Sequence, residues 1–403
     1  MAKGYLIVNV YLETVATPVE NATVTITGEN YKEEFITNSE GKINKIELEA
    51  PEIDYSLTPQ NSIRPYSLYD VKVEKQGLNT TIVKNVEILP NETSIQDIFI
   101  KKTPVSINIT ELPPHVLWGD YEPKIPEEPI KEEAEEVRVL PKVIIPEYII
   151  VHDGIPTNMA ATNYIVPFID YIKNVASSEI YSTWNKEAIK ANVHAIVSFT
   201  LNRIFTEWYR GKGYNFTITS SSAYDQTYIH NRTIFQSIAN IVDEYFRYYI
   251  RLTGLVQPFL AQYNDGVKTN NPNWLNQWGS QDLATRGYTA LQILRHYYTT
   301  NLNLHTAEEL VGLPTSFPGY NLSLNSCGEY VQKMQIELNR IRGSYPGIPA
   351  ISPADGNFKE STKNAVEAFQ NAFSLPVTGT VDFATWFKIS YIFGAIAKLA
   401  SGI

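Results

Sequence analysis

Alternation opens the chain. Leu6, Val8, Val10 and Leu12 fall on one face of residues 4–12, with Tyr5, Ile7, Asn9 and Tyr11 on the other. This two-residue period predicts a strand with one side in a core. Residues 22–27 repeat the pattern, Asn38-Ser39-Glu40-Gly41 reads as a turn, and 69–74, 80–89 and 94–100 continue the series. About seven short strands with turn signals between them predict a β-sandwich over 1–112. Residues 175–203 change period. Ile189, Val193, Ile196, Val197, Ile204 and Trp208 mix steps of three and four, predicting a long helix with one buried face. Asn185 stands at the N-cap position and Glu187 in the first turn. Just ahead, a Ser-rich turn carries Glu179 on a loop that need not be buried.

The remaining pattern fills in a central α+β unit over 146–315. Residues 165–172 lead into Glu179, and 214–229 read as a strand followed by a polar loop. A helix is predicted over 232–252, with Ile234, Ile238, Ile241, Tyr245 and Tyr249 along one side. A strand follows at 259–263, then a Gly-punctuated turn and a helix within 273–298, ending in His296, Tyr297 and Tyr298. The last unit, 316–395, is all helical. Val331, Met334 and Leu338 mark one helix and Ala365, Val366 and Phe369 another, joined through Asp355-Gly356.

Between sandwich and central unit, residues 113–145 break character. Six prolines and eight acidic residues fall within 113–142, including the run 127–136. Such composition buries little, so a solvated linker is expected, with 137–142 as a protease-accessible zone.

Composition narrows the function classes. The chain has 403 residues, enough for two or three cores, and a formal net charge of −10, which argues against a nucleic-acid partner. Its single cysteine, Cys327, excludes an intrachain disulfide framework, and scattered histidines without an HExxH motif predict no metal site. No cofactor is expected. The N-terminal residues lack the apolar core of a signal peptide, and no apolar run is long enough to span a membrane. Tyrosine is abundant, with 26 residues, and aromatic faces suit the C–H faces of sugars, although any single tyrosine more often packs in a strand or half-buried helix.

The C-terminal pattern resembles the peptidoglycan-binding module of wall hydrolases, a three-helix unit. The matching residues are Val331, Gln335, Asp355-Gly356, Phe358, Thr362, Ala365-Val366, Phe369-Gln370, Thr378-Gly379-Thr380-Val381 and Thr385-Trp386. The central unit resembles the stage II sporulation protein D family of lytic transglycosylases. The resemblance rests on Glu179, Trp184 and Glu187-Ala188-Ile189-Lys190-Ala191, on Asp225-Gln226, and on Gln277-Trp278-Gly279-Ser280-Gln281, Gly287-Tyr288, Ile293-Leu294 and His296-Tyr297-Tyr298. The opening of the sandwich, 18–26, resembles transthyretin-like modules. The order of units resembles spore cortex-lytic enzymes of the SleC type, precursors activated by a subtilisin-like germination protease.

These resemblances imply a peptidoglycan lytic transglycosylase acting on spore cortex during germination. It would be made in the mother cell, without a signal peptide, and held at the cortex or coat. Its partners would be glycan strands and the activating protease. Glu179 would give a proton to the departing glycosidic oxygen and then take one from the sugar's own 6-hydroxyl. Ile180, Tyr181 and Trp184 would give that acid an apolar setting. Asp225 and Gln226 would bond sugar groups or orient Glu179, Gln277 and Trp278 would line the sugar, and Tyr224 would join them. Without the resemblance, Glu179 also reads as a surface residue at a helix start and Asp225 as an Asx turn. The sequence departs from the sporulation family at Val197, where that family carries Arg, and at Asn270-Asn271-Pro272, where it carries Gly-His-Gly. Those departures motivate an alternative, a non-catalytic wall-binding component of an envelope-associated assembly such as a phage tail or injection machine.

Overall fold

The computed structural model describes residues 2–12, 17–59, 61–102, 106–131, 143–309, 320–373, 375–382, 385–386, 388–390 and 392–393. Alternating burial builds the N-terminal unit from β1 (Ala2–Leu12), β2 (Thr23–Gly28), β3 (Tyr31–Ile36), β4 (Ile46–Ala50), β5 (Ser67–Glu74), β6 (Thr80–Ile88), β7 (Thr93–Ile100) and β8 (Ile107–Glu111), with a one-turn helix α1 (Asp54–Leu57) between β4 and β5. One sheet runs β3-β2-β5-β6-β8, and β7, β1 and β4 belong to the other. Leu6, Val8 and Val10 of β1 meet Val24 and Ile26 of β2 and Val71 and Val73 of β5 in one core between the sheets. The sandwich expected from alternation is therefore present, with β8 as a strand beyond those the pattern marked.

This unit does not stop at residue 112. The strand β13 (Ile234–Phe235), from the central unit, pairs antiparallel with β7 and completes the order β13-β7-β1-β4. A buried ion pair, Arg232 Nη2 to Glu87 Oε2 at 2.8 Å, stands beside that junction. Trp184 Nε1 donates to the Ser56 carbonyl at the end of α1 (2.9 Å). The two units are thus tied by a shared sheet edge and by buried polar contacts.

The central unit contains β9 (Ile144–Ile145), β10 (Tyr148–His152), β11 (Asn163–Pro167), α2 (Phe168–Glu179), α3 (Lys186–Phe205), β12 (Ile218–Thr219), α4 (Gln236–Tyr245), β14 (Tyr248–Leu252), β15 (Tyr263–Asn264), β16 (Leu275–Asn276), α5 (Gln277–Thr285), α6 (Ala290–Tyr297), β17 (Leu302–Thr306) and β18 (Glu308–Glu309). Helix α3 is its axis. Asn185 caps it as expected, accepting from the Glu187 N–H at 2.9 Å. Most of its 20 residues are buried, polar ones such as Asn192, Ser198 and Asn202 included, so the expected single apolar face is really a helix wrapped on nearly all sides.

Four expectations are corrected here. The helix expected over 232–252 divides into β13, α4 and β14, because Phe246 and Arg247 turn the chain into a strand that pairs with β17. Of the strand expected at 259–263, only Tyr263 belongs to one. The helix expected up to Tyr298 is two, broken at Gly287, whose φ of 89° ends α5. The acidic linker is the fourth. Residues 113–131 pack into the molecule, with His115, Leu117, Tyr121 and Lys124 buried. The predicted cleavage zone 137–142 lies outside the described residues.

The C-terminal unit is helical, with α7 (Glu329–Ser344), α8 (Glu360–Ala372) and further helical residues at 385–386, 388–390 and 392–393. Val331, Met334, Leu338, Val366, Phe369 and Trp386 share its core. Gln335 ties the helices to the loop, donating to the Asn357 carbonyl and Thr362 Oγ1 and accepting from the Gly356 N–H, each at 2.9 Å. Gly356 has φ 75°, and a Cβ there would meet the Gly328 carbonyl oxygen at 2.9 Å, which is why a glycine stands in this turn.

Where this unit meets the central one, Tyr148 donates to the Ser390 carbonyl at 2.5 Å. Two carboxyls are buried nearby. Burial, with Glu337 adding to it, pushes the Glu147 carboxyl up to about 10, and burial also holds Glu337 well above its usual range. Both keep an unpartnered Oε1. The folded state therefore holds protons that the unfolded chain releases once pH passes 4.5. The contribution of these two carboxyls to stability is full below that pH and declines as pH rises toward about 10. Thermal unfolding scans at pH 5, 7 and 9 are expected to show a falling midpoint, and Glu337→Gln to raise the midpoint at pH 9 and flatten the slope.

Candidate functional site

Glu179 is the last residue of α2, not a loop residue, and its exposure is 0%. Helix α2 can end there because Ile180 turns extended, with its N–H still bonded to the Ala176 carbonyl. The carboxylate emerges inside the domain and is met by donors. Oε1 accepts from the Thr227 N–H (2.9 Å) and the Tyr263 hydroxyl (3.2 Å), and Oε2 from Gln277 Nε2 (3.4 Å). Burial, with Glu179 beside it, pushes the Tyr263 phenol well up, so it stays an O–H donor. Thr227 Oγ1, on the residue whose N–H holds the carboxylate, is buried without a partner.

The other group at this carboxylate comes from outside the domain. Lys124 Nζ lies 3.7 Å from Glu179 Oε1, and it donates to the carbonyls of Ser222 (3.2 Å) and Asp225 (3.1 Å). Burial pulls this ammonium below the usual lysine range, against Glu179 and Asp225, which hold it up. Lys124 belongs to residues 113–131, which cross the domain as a strap. Tyr121 donates to Gln277 Oε1 at 3.2 Å, and Lys268 bonds the Gly119 carbonyl. The Ile125 N–H donates to the Ala223 carbonyl (2.7 Å), and the Leu260 N–H to the Pro129 carbonyl (2.9 Å). Gln262 and Gln257 bond the strap backbone at Ile125, Glu127 and Lys131. The strap's acidic residues account for part of this fit, since Glu127 reaches Arg203 at 2.5 and 3.1 Å.

The remaining sequence candidates separate into groups. Asp225 is turned away from Glu179: its Oδ1 accepts from Arg203 Nε (2.7 Å), and its Oδ2 from the Tyr209 hydroxyl, Thr219 N–H and Thr219 hydroxyl (2.7, 2.8 and 2.7 Å). Burial works against the Arg203 charge, but Asp225 and Glu127 hold it above its usual range. Gln226 accepts from Tyr171 and Thr200 and donates to the Ile196 carbonyl, an internal brace between α2 and α3. Gln277 alone among the expected sugar-binding residues touches Glu179. Trp278 packs on Trp184 (5.0 Å between rings) and Tyr181 (5.9 Å). Trp184 is bonded to Ser56, so this aromatic cluster faces the sandwich junction. The setting expected from Ile180, Tyr181 and Trp184 is thus behind the helix end, and the carboxylate itself sits among donors. Tyr224 lines a cavity of about 830 Å³ together with Trp208, Tyr214, Lys212 and strap residues Glu127 and Lys131, away from Glu179.

Lys124, Tyr121, Tyr263, Thr227 and Arg203 were not singled out from sequence. The first two lie in a stretch whose composition reads as solvated, and the others carry no spacing signal. Among the described residues no group of three or more His, Cys, Asp or Glu could hold a metal ion.

Arg203→Met would leave Asp225 and the inner oxygen of Glu127 buried without their cation. A loss of about 3–5 kcal/mol in denaturant unfolding is expected, with part of it recovered in the double variant Arg203→Met, Asp225→Asn.

Comparison with known proteins places one family match on the C-terminal unit. Residues 327–389 match the family model PG_binding_1, a peptidoglycan binding domain. Over 68 residues the chain is 44% identical to the zinc D-Ala-D-Ala carboxypeptidase of Streptomyces albus G, covering 17% of this chain and 25% of that protein, so it spans about a quarter of that relative's length. Among solved structures, the Bacillus anthracis TIE protein aligns with a TM-score of 0.19 at 18% identity, over 25% of this chain and 17% of that one. Klebsiella pneumoniae 5-hydroxyisourate hydrolase aligns with a TM-score of 0.18 at 14% identity, over 25% of this chain and 91% of that one. Scores this low carry no conclusion about fold. Peptidoglycan binding is thus supported for one unit of the chain, residues 327–389, by its match to a peptidoglycan binding domain.

Proposed function

We propose that this protein is a peptidoglycan lytic transglycosylase held latent by residues 113–131, with Glu179 as its acid–base residue. The observation that carries this reading is the Lys124–Glu179 contact: a fully buried carboxylate faced by a buried ammonium that a separate segment supplies. Lytic cleavage needs one carboxyl acting twice. Glu179 would protonate the glycosidic oxygen as the bond from C1 breaks, then accept the proton of the 6-hydroxyl as O6 closes on C1, forming the 1,6-anhydro ring. Tyr263, the Thr227 N–H and Gln277 hold the carboxyl oxygens in place for both transfers. Lys124 occupies the side from which a glycosidic oxygen would approach, so the strap must leave first.

The transglycosylase family, the transthyretin-like character of the sandwich, the spore cortex as target and a subtilisin-like germination protease as activator belong to this reading, and come from the sequence resemblances. The peptidoglycan-binding domain supports the substrate class. A second reading, a wall-binding component without turnover, is favoured by the complete burial of Glu179 and the saturation of its oxygens.

Muropeptide mass spectrometry of cortex peptidoglycan separates the two. The intact chain is expected to release little. After treatment with a subtilisin-type protease it is expected to release 1,6-anhydro-muropeptides, and Glu179→Gln to lower that release by about 10²–10⁴-fold while wall binding persists. Absence of anhydro products before and after proteolysis would leave the wall-binding reading.

A further inference from the structure

Two glutamines hold the strap in a way that bears on what replaces it. Gln262 accepts from the Glu127 N–H through Oε1 (2.9 Å) and donates to the Ile125 carbonyl through Nε2 (2.8 Å). Gln257 does the same at one residue, accepting from the Lys131 N–H (2.8 Å) and donating to its carbonyl (3.2 Å). Each carboxamide therefore reads a backbone N–H and a backbone C=O together. Both glutamines are buried, Gln262 at 3% and Gln257 at 8% exposure.

The segment carrying them meets the strap through its Leu260 N–H as well, and the domain core holds it from the other side. Asn202 of α3 donates to the Pro258 carbonyl (2.7 Å), the Phe259 N–H donates to the Ile250 carbonyl (2.9 Å), and the Tyr298 hydroxyl donates to the Gln262 carbonyl (2.9 Å). Leu260 and Ala261 are buried between them. The same strap covers both carboxamides and, through Lys124, Glu179, so its departure would open one groove along all three and leave the carboxamides unpaired. Polar groups built into a wall and left unpaired are costly, so a ligand that satisfies them is selected strongly over one that does not.

An acetamido substituent offers what a peptide unit offers, one N–H and one C=O. A glycan of N-acetylated sugars carries this group on every ring, and a plain glucan carries only hydroxyls. We infer that Gln257 and Gln262 are the acetamido-reading specificity residues of the groove, and that the strap occupies it by presenting peptide groups in their place. This rests on the reading that a glycan enters the groove at Glu179.

Hydrogen exchange on the full-length Glu179→Gln chain tests it without turnover. Chitohexaose, an N-acetylated hexasaccharide, is expected to speed exchange at the Ile125, Glu127 and Lys131 amides by displacing the strap. Cellohexaose, which lacks the acetamido groups, is expected to need a concentration on the order of 100-fold higher. Adding Lys124→Met, which loosens the strap without touching either glutamine, should shift both responses to lower concentration and keep the gap. Adding Gln257→Leu and Gln262→Leu should close the gap. The inference is overturned if the two sugars act alike on the parent chain, or if neither changes strap exchange even with Lys124→Met. A gap in exchange without anhydro products from the proteolysed wild-type chain would sink the transglycosylase reading and leave the amide clamps. Anhydro products without a gap would do the reverse.

Discussion

A carboxylate taken out of water must be met by donors, and Glu179 is met from four separate parts of the chain: Thr227, Tyr263, Gln277 and Lys124. Desolvating such a charge costs several kcal/mol even after relaxation, so each donor is held to the site by the penalty of leaving it. Lys124 is bound by the same logic in reverse, since its ammonium is equally dry and faces Glu179, two carbonyls and the Tyr263 ring. The consequence is a coupled arrangement. The strap cannot leave at Lys124 alone without leaving one buried charge poorly compensated, and this favours detachment of the segment as a unit.

The same reasoning explains why a stretch rich in proline and acid packs as it does. Proline has no N–H to satisfy, and the strap's backbone groups at Ile125, Glu127, Pro129 and Lys131 are met by Gln257, Gln262, Leu260 and Ala223. Its inner acid, Glu127, is neutralised by Arg203, which also binds Asp225. The strap is thus anchored through α3 at one end of the domain and through Gln277 and Lys268 toward the other.

The sandwich is joined to this core through a strand that the central unit contributes. Pairing of β13 with β7 closes a sheet edge that would otherwise offer unpaired backbone groups. Thr233 and Gln96 bond across the junction at 2.6 Å, and Arg232 meets Glu87 beneath it. Trp184, expected beside the sugar, instead reaches α1 through its indole N–H. The region just after Glu179 therefore serves the contact between units, and the region facing the strap is built from 220–227 and 257–277.

Period-two alternation in β1, β2, β5, β6 and β7 was legible because one face of each strand meets a core and the other does not. The two helices of the peptidoglycan-binding domain were legible for the same reason, as was the Asn185 cap, whose bond is local. The helix α3 was legible from its spacing but its burial on nearly all sides was not, and pairing with a distant strand overrode the helical pattern of 248–252. The sequence by itself determined which segments have a face to bury and that Glu179 stands before a long helix. Only the tertiary structure decided that this carboxylate is dry and that Asp225 belongs to Arg203. It alone decided that a stretch reading as a solvated linker lies across the site. Hydrophobic period reports a local asymmetry between core and water, whereas these contacts join residues tens of positions apart through hydrogen bonds and charge, which leave no period in the chain.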